Sequence, residues 1–531
     1  MTNWFERTLA RDPARWRRRV VGRYRYVRLR WRLVMAAVDA VGYGVLLLGD
    51  LLGLRARQTG GMRAILGVRR ASRADAHPRP PVRRVLLVQL DHLGDAVITL
   101  AMLPHLRRRY PDATIDVVAS PAAAKVFKIS GQVDRVLIVR TTRFARREVR
   151  GRLPARAQGC HGWPGTAAER WSQQCRRAMS RATRVLRHAA APAALACVAP
   201  LRPLRWITAL TTCAWRLRRD RYDVGIDVRG ELPHAWLLWL AGCRRRVGFS
   251  AGGGGFLLTD SARFVVGRPE VESRLALLTC LGIDTAAAVA APRVDPSPAA
   301  LAAVDARLAA LGVDLAPRGA GLGARRLVVV HLGAGTPAKR WPPAHFRHLV
   351  QRLHAACGAH MVLVGAHDAM AAARLIAPAP DSPSHVDACH APQALDRAPH
   401  VLDWTNQLTL DEFAALVRHA DLFIGADSGP AHLAAAVGTP VLVLFSGTND
   451  RRQWQPRGEV VRVVAHGVPC SPCHRQRCPL AAHPCMHDLS PETVAAAAIA
   501  MLASSSTDDA VLDAAQRPAH VAETVLTGES S

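Results

Sequence analysis

Short runs of consecutive apolar residues recur along the chain, and each is followed by a loop of small and polar residues. Such runs occupy residues 85–90, 327–331, 422–425 and 441–445. Helical patterns follow the first three, over residues 96–109, 344–357 and 431–437. Continuous apolar runs that alternate with helices predict parallel strands buried on both faces. The chain is therefore predicted to have an α/β fold.

The most informative loop is Asp427-Ser428-Gly429-Pro430-Ala431-His432, which lies between a predicted strand and a predicted helix. Pro430 suits the first turn of that helix, because its missing N–H would have no intrahelical partner there. The remaining N–H groups and the positive end of the helix dipole form a site suited to a phosphate. The alternative interpretation is an ordinary capped helix.

Two other loops occupy the same position, at the carboxyl end of a predicted strand. They are Asp91-His92-Leu93-Gly94-Asp95 and the segment 332–342, which contains Thr336, Lys339 and Trp341. In open parallel sheets, ligands bind at these strand ends. The three loops are therefore predicted to form one ligand site.

The loops also resemble, in this order, the motifs of glycosyltransferase family 9, the lipopolysaccharide ADP-heptose heptosyltransferases. The resemblance is carried by Leu93-Gly94-Asp95, by residues 335–342, and by Asp427-Ser428-Gly429 with His432. It covers roughly residues 82–138 and 222–500. It implies two Rossmann-like domains that face a cleft, the GT-B arrangement.

The net charge of +30 is concentrated outside these loops. Residues 1–80 contain 18 arginines and 5 acidic residues, and residues 140–221 contain 19 arginines and 3 acidic residues. These segments carry +13 and +16, so the regions that hold the motifs are nearly neutral. A strongly basic chain suggests nucleic-acid binding. Here the charge lies apart from the predicted chemistry, and we expect no nucleic-acid partner.

Composition shifts divide the chain into four parts. We expect a basic, aromatic, partly apolar membrane-associating extension over 1–80 and an N-terminal acceptor domain over 81–320. The acceptor domain contains an arginine-rich insertion at about 141–221. A C-terminal nucleotide-sugar domain is expected over 321–503, followed by a polar tail over 504–531. Residues 252–255 are interpreted as a flexible glycine run, and a linker is expected near 316–324.

Residues 33–54 are mostly apolar and nearly long enough to span a bilayer. Asp39 and Asp50 lie inside this stretch, and arginines flank it on both sides. An interfacial or re-entrant helix is predicted, with a membrane span and an arginine-rich unstructured extension as alternatives. The charged, aromatic N-terminus is unlike a cleavable signal, so a reducing cytoplasmic location is expected for the twelve cysteines.

Transfer of a sugar requires that the acceptor hydroxyl lose a proton. Asp95 lies at a predicted helix N-terminus, which would keep its carboxylate ionised at neutral pH. The resemblance assigns this residue the role of general base. A simple helix cap is the alternative.

The departing diphosphate requires that its developing charge be stabilised. Lys339 could supply a compact positive charge; it is one of only three lysines, beside 68 arginines. The resemblance indicates that Thr336, Ser428, Gly429 and His432 supply further contacts. Asp427 is expected to hold the loop or to bind a sugar hydroxyl. The alternatives are a solvated Lys339 and a structural His432.

No paired acidic metal motif occurs near these loops, so catalysis is expected to require no metal cofactor. Cys470, Cys473, Cys478 and Cys485 form a C-x2-C-x4-C-x6-C pattern, whose spacing suits one tetrahedral thiolate site. A structural zinc and four free thiols both remain open.

The resemblance implies an inverting, metal-independent glycosyltransferase, peripheral on the inner face of the bacterial inner membrane. Its partners would be a nucleotide-diphosphate sugar donor, specifically ADP-heptose, a lipopolysaccharide-core or related glycolipid acceptor, and the anionic membrane surface. Family members often carry glutamates where this chain has residues 367–371, which contain only Asp368 as an acid, and this departure bears on the identity of the donor sugar. A transferase for another nucleotide sugar, and a non-catalytic protein tethered to anionic membrane or nucleic acid, are the alternatives.

Overall fold

The computed structural model describes most of the two predicted domains. The residues described are 29–51, 81–139, 201–285, 291–313, 326–366, 369, 373, 376 and 401–504. The predicted linker near 316–324, Asp368, the polar tail beyond 504 and most of the two basic segments lie outside the described residues.

The first domain is built on a six-stranded parallel sheet. Its strands are β1 (Arg84–Gln89), β2 (Thr114–Ala119), β3 (Arg135–Ile138), β4 (Val224–Asp227), β5 (Arg245–Phe249) and β6 (Asp260–Ala262). The order across the sheet is β3-β2-β1-β4-β5-β6, so the strand order reverses between β1 and β4. Val85 is paired with Ile115 on one side and with Val224 on the other, which makes β1 a central strand.

Helices precede, connect and follow these strands. They are α1 (Leu29–Leu51), α2 (Leu93–Leu100), α3 (Leu103–Arg109), α4 (Pro121–Ser130), α5 (Leu201–Leu217), α6 (Leu232–Leu240), α7 (Glu270–Thr279) and α8 (Pro298–Ala309).

The second domain repeats the plan with another six-stranded parallel sheet. Its strands are β7 (Leu327–His331), β8 (His360–Val364), β9 (Val401–Asp403), β10 (Leu422–Ala426), β11 (Val441–Leu444) and β12 (Val461–Val464). Its labelled helices are α9 (Pro343–Cys357), α10 (Leu410–His419), α11 (Gly429–Val437), α12 (Arg451–Trp454), α13 (Pro484–His487) and α14 (Pro491–Ser504). The order β12-β11-β10-β7-β8-β9 reverses between β10 and β7.

The predicted α/β fold with two Rossmann-like domains is confirmed. The strands β4, β7, β8, β10 and β11 are buried along their whole length, because helices cover both faces of each sheet. Apolar side chains of both domains belong to one continuous buried cluster, which includes Leu87 of β1 and Phe423 of β10.

One predicted helix is wrong in its extent. The helix expected over residues 96–109 is two helices, α2 and α3, which are separated at Ala101 and Met102. Pro104 lies in the first turn of α3. A continuous helix would place its ring against the carbonyl of Leu100 and would lose a hydrogen bond there, so the chain restarts the helix instead.

The glycine run at 252–255 is not the flexible segment that its composition predicts. All four glycines are buried, and Gly253 and Gly254 adopt positive φ values of 83° and 81°. A Cβ atom on Gly252 would lie 1.7 Å from the carbonyl oxygen of Gly230. The run therefore permits a close approach of two backbones, which other residues would prevent.

Helix α1 packs against this glycine loop. The carboxylate of Asp39 is 3% exposed and accepts a hydrogen bond of 2.7 Å from the backbone N–H of Gly254. Tyr43 makes an edge-to-face contact with Phe256. The opposite side of the helix carries exposed apolar residues, namely Leu33, Val34, Val41 and Val45. Within the part of the chain described, no helix combines the length and the apolar character needed to cross a membrane.

The last part of the arginine-rich insertion contains helix α5, which packs against the first domain. Helix α5 buries Leu210, Ala214 and Leu217 in a cluster with residues of β1 and α6. Trp215 of the same helix is 71% exposed. The helix is therefore amphipathic, with an aromatic side chain on its outer surface.

Candidate functional site

The reversal of strand order in each sheet creates a crevice at the carboxyl ends of the central strands. In the first domain, Asp91 and Asp95 follow β1 and Arg229 follows β4. In the second domain, Lys339 follows β7 and Asp427 follows β10. Ligands of doubly wound sheets bind at such reversal points. The predicted loops therefore occupy the expected position in both domains.

Asp95 lies in the first turn of α2 and is 7% exposed. Its side chain does not cap its own helix; instead its Oδ1 atom accepts a 3.0 Å hydrogen bond from Nη1 of Arg229. Arg229 also lies 3.4 Å, through Nε, from Oδ2 of Asp91. Burial opposes the charge of Arg229, but the carboxylates of Asp91 and Asp95 outweigh it and raise the pKa of the guanidinium. Arg229 is thus a permanent cation beside Asp95.

The turn after β4 is built to present Arg229. Oδ1 of Asp227 accepts backbone N–H bonds from Arg229 and Gly230, at 3.0 and 2.8 Å, and its Oδ2 accepts one from Glu231 at 3.0 Å. The same carboxylate lies 2.9 Å from Nδ1 of the fully buried His234. Burial opposes protonation of His234, yet Asp227 raises its pKa overall. This pair stabilises the turn that carries Arg229.

Lys339 and Asp427 form an ion pair in the second domain. The Nζ atom of Lys339 lies 2.6 Å from Oδ2 of Asp427 and 3.0 Å from its carbonyl oxygen. Asn449 donates a 3.0 Å bond to the same carboxylate oxygen. Asp427 is buried and the Lys339 side chain is 17% exposed. Lys339 is therefore held at the crevice by Asp427 and is not a solvated loop lysine.

Two other predicted residues, Ser428 and Thr336, lie in the loops that follow β10 and β7. The hydroxyl of Ser428 donates to the carbonyl of Ala426 and does not cap the helix, so it leaves the first-turn N–H groups uncapped by its side chain. The Oγ1 atom of Thr336 is buried and has no hydrogen-bond partner among the described residues. Both features leave donors for an anion at this position.

The N-termini of α2 and α11 meet across the two domains. A Cβ atom on Gly94 would lie 3.3 Å from both Cα of Gly429 and Cδ2 of His432. A Cβ atom on Gly429 would lie 2.7 Å from Cδ2 of Leu93. Glycine at both positions therefore allows two positive helix ends to converge on one space, together with Asp95 and His432.

His432 lies within this convergence and is 6% exposed. Burial lowers the pKa of its imidazole; Asp427 and Asp95 oppose the shift, and Lys339 adds to it. The ring is therefore neutral near pH 7 and presents one N–H donor. An anion bound beside it would favour the protonated form.

Several residues at the site were not singled out from the sequence. Arg229 could have been identified from the sequence, because it follows the end of β4, where ligands of parallel sheets bind. Glu270 and Arg274 had the spacing of a helical ion pair, and they form one at 2.9 Å. Asn449 gave no sequence signal, because its contact with Asp427 depends on how β10 and β11 pair.

The four cysteines lie in the segment between β12 and α14, and Cys485 belongs to α13. Cys470 is exposed, Cys473 and Cys478 are half-buried, and Cys485 is buried. Within the described ranges, no three His, Cys, Asp or Glu side chains are placed so that they could hold a metal ion. Burial, together with the other three thiols, raises the pKa of Cys485, so this group favours a protonated thiol.

Comparison with known proteins identifies relatives of this chain. The model of glycosyltransferase family 9 (heptosyltransferase) matches residues 211–483, just over half of the chain. The match includes Lys339, Asp427 and His432, and begins after Asp95. A "Lipopolysaccharide heptosyltransferase 3" from Escherichia coli is 30% identical over 246 residues, 45% of this chain and 64% of that protein.

A "Lipooligosaccharide heptosyltransferase 2" from Campylobacter jejuni is 35% identical over 89 residues, 17% of this chain and 28% of that protein. The chain therefore matches less than two thirds of the length of either of these curated relatives.

Solved structures show the same fold at low sequence identity. The ADP-heptose lipopolysaccharide heptosyltransferase II of E. coli has a TM-score of 0.53 at 17% identity, over 79% of this chain and 99% of that one. A family 9 glycosyl transferase from Veillonella parvula has a TM-score of 0.54 at 16% identity, over 80% and 98%. Both likenesses extend over the two domains described above.

Proposed function

Because this chain belongs to glycosyltransferase family 9, we propose that it transfers heptose from ADP-heptose to a lipopolysaccharide core or a related glycolipid. The observation that carries the proposal is the convergence of α2 and α11. It places a carboxylate, Asp95, beside an anion site formed by a helix N-terminus, Lys339 and His432. Sugar transfer from a nucleotide diphosphate requires this combination of a base and an anion site.

The reaction needs one bond to form as another breaks. The acceptor oxygen attacks the anomeric carbon from the side opposite the diphosphate, and its proton passes to Asp95. The bond between the anomeric carbon and the phosphate oxygen breaks, and its electron pair stays with ADP. Attack opposite the leaving group inverts the configuration at that carbon.

The charge on the departing diphosphate increases as this bond breaks. Lys339, the N–H groups at the start of α11, Thr336 and His432 are the groups that would stabilise it. Asp427 competes for Lys339 in the ligand-free protein, at 2.6 Å. Bound ADP would draw part of the lysine charge from this pair, and Asp427 would then hold the loop and its Asn449 contact.

These residues supply positive charge without a metal, so transfer is proposed to proceed in the presence of a chelator. The cysteine pattern does not fit a zinc site as it is arranged here, and no step is assigned to it.

The donor is proposed from the relatives. The E. coli protein of similar fold is described as an ADP-heptose enzyme, and the curated relatives are described as heptosyltransferases. Another nucleotide sugar is the second candidate donor, because Asp368 stands where family members carry glutamates.

The acceptor would be reached at the cytoplasmic face of the inner membrane. The basic extension and the basic insertion, at +13 and +16, are complementary to anionic lipid. The outward side of α1 adds exposed Val41 and Val45, and α5 adds Trp215. Basic and apolar groups together are typical of proteins that lie on a membrane surface.

A donor panel tests the proposed function. The full chain is incubated with a core-truncated lipopolysaccharide acceptor, with or without a chelator, and with one of ADP-heptose, ADP-glucose or UDP-glucose. Heptosylated product from ADP-heptose in both conditions is expected. Transfer only from another donor would replace the assigned donor, and donor binding without any transfer would favour a non-catalytic binding protein.

A further inference from the structure

A buried chain of polar side chains connects Asp95 with the second domain. Nη2 of Arg274 lies 3.6 Å from Oδ1 of Asp95, and Nη1 of Arg274 lies 2.9 Å from Oε2 of Glu270. The other oxygen of Glu270 accepts a 2.7 Å hydrogen bond from Nε2 of Gln453. Arg274 and Glu270 belong to α7 of the first domain, and Gln453 belongs to α12 of the second.

Stability alone does not account for these residues. Arg274 is 1% exposed and Glu270 is 4% exposed. Burial of two charges is costly, and an apolar pair of similar volume is often at least as stable. In addition, Nε and Nη2 of Arg274 have no hydrogen-bond partner among the described residues. One of these unpaired donors, Nη2, lies 3.6 Å from Oδ1 of the proposed base Asp95.

Two guanidinium groups approach the same oxygen of Asp95. Arg229 donates to Oδ1 at 3.0 Å, and Arg274 lies 3.6 Å from that oxygen. Two cations beside one oxygen favour a single rotation of the carboxylate, in which Oδ2 would be the oxygen that receives the acceptor proton. A carboxylate held by one arginine alone could turn about its side-chain bond.

We infer that Arg274 is a positioning residue that orients Asp95, and that Glu270 and Gln453 couple this orientation to the nucleotide-sugar domain. The inference rests on the proposed function, in which Asp95 accepts the proton. When the two domains are in contact, Gln453 is hydrogen-bonded to Glu270 and Glu270 is paired with Arg274. Arg274 then orients Asp95. Proton transfer is then supported only in the closed arrangement of the cleft.

A second contact, between α7 and the segment that follows α12, supplies a control. Arg457 pairs with Glu272 at 3.0 Å, also between the two domains, but both side chains are partly exposed. Exposed ion pairs of this kind contribute little, and this one does not touch Asp95. Its removal tests whether any loss of an interdomain contact slows transfer.

The experiment compares Arg274→Met, Arg274→Lys and Arg457→Ala with the unmodified protein. The rate of single-turnover heptose transfer and the Kd for ADP are measured for each. Arg274→Met is expected to transfer about 10–100-fold more slowly, as displaced catalytic groups do, with the Kd for ADP changed less than about 3-fold. Arg274→Lys should recover part of the rate, since an ammonium cannot contact Glu270 and Asp95 together. Arg457→Ala should stay within about 2-fold.

A double-mutant cycle tests the connection between domains. Glu270→Gln, Gln453→Ala and the double variant are assayed in the same way. The relay predicts that the effect of Gln453→Ala on the transfer rate is at least about 3-fold smaller when Glu270 is already changed. Gln453 is half-buried at the end of a short helix, so the single variant Gln453→Ala changes no residue of the core.

The outcomes separate this inference from the proposed function. Absence of transfer by the unmodified protein would refute the function itself. With transfer established, three results would overturn the inference. They are an unchanged transfer rate in Arg274→Met, an equal loss of transfer rate in Arg457→Ala, and a double-mutant cycle in which the two effects on the rate are independent. A rate loss matched by a similar loss of ADP affinity would also overturn it, because it would indicate a distorted domain.

Discussion

At the scale of single residues, the site depends on a few charges whose partners are now defined. Asp95 is held by Arg229, and Lys339 is held by Asp427. Each cation is placed by a carboxylate, so each responds to a bound anion through a change of partner. Substitutions of Lys339 and His432 test whether these residues contact the bound diphosphate.

Replacing Lys339 by alanine is expected to weaken ADP binding and to slow transfer further, because the charge of the leaving diphosphate grows in the transition state. The loss in rate should be on the order of 10²–10³-fold. Lys339→Arg should also lose activity, since a planar guanidinium does not fit the compact contact with Asp427. Isothermal titration with ADP and single-turnover rates check both variants. Unchanged affinity and rate in both would place Lys339 outside the donor site.

ADP binding is expected to take up a proton at His432. Burial lowers the pKa of the free imidazole, so the ring is neutral above its depressed pKa. A bound diphosphate favours the charged form and raises that pKa. Binding should therefore strengthen as pH falls from about 7.5 toward 6. Titration in buffers of different ionisation enthalpy measures the uptake, which His432→Gln should abolish. Release of a proton, or uptake that persists in His432→Gln, would contradict this assignment.

At the scale of elements, helix α1 has two different faces. Asp39 and Tyr43 face the glycine loop, whereas Val41 and Val45 are more than 60% exposed. Removal of the whole extension would therefore remove a buried hydrogen bond together with the basic residues. Substitutions on the outer face separate membrane contact from packing.

The double variant Val41→Asp/Val45→Asp should bind anionic vesicles less tightly while its transfer to a soluble acceptor fragment stays unchanged. Acidic groups at these positions repel the anionic surface and lose apolar contact with it. Val460→Asp is the control, since Val460 is also exposed but lies in the second domain. Co-sedimentation across a range of salt concentrations measures the effect. Equal binding by all three proteins would move the membrane contact away from α1.

Elements were predicted well where one local pattern decides the structure. Strand β7 was expected over 327–331 and has these bounds, because its apolar run is continuous. The break between α2 and α3 was missed, although Pro104 is a local signal for it. The buried conformation of residues 252–255 could not be predicted, because it depends on contacts with Gly230 and α1.

At the scale of the whole molecule, the proposed function depends on residues from both domains, which meet at the N-termini of α2 and α11. Sequence motifs identified Asp95, Lys339, Asp427 and His432, because each lies in a loop with its own local pattern. They did not identify the partners of these residues. Arg229, Arg274, Gln453 and Asn449 reach the site only through the strand order of each sheet and the contact of α7 with α12. The position of Arg229 after β4 and the spacing of Glu270 and Arg274 are local signals, but the contacts of these residues with the site depend on tertiary structure and cannot be inferred from neighbouring residues in the sequence.

The central claim is that Asp95 accepts the acceptor proton beside a donor held by the second domain. The most direct test is single-turnover heptose transfer from ADP-heptose by Asp95→Asn, with donor affinity measured on the same protein. The substitution preserves shape and removes the proton acceptor, so the rate should fall about 10²–10⁴-fold. Donor affinity should remain close to that of the unmodified protein. A near-normal rate would show that Asp95 is a structural residue of α2 and would contradict the account.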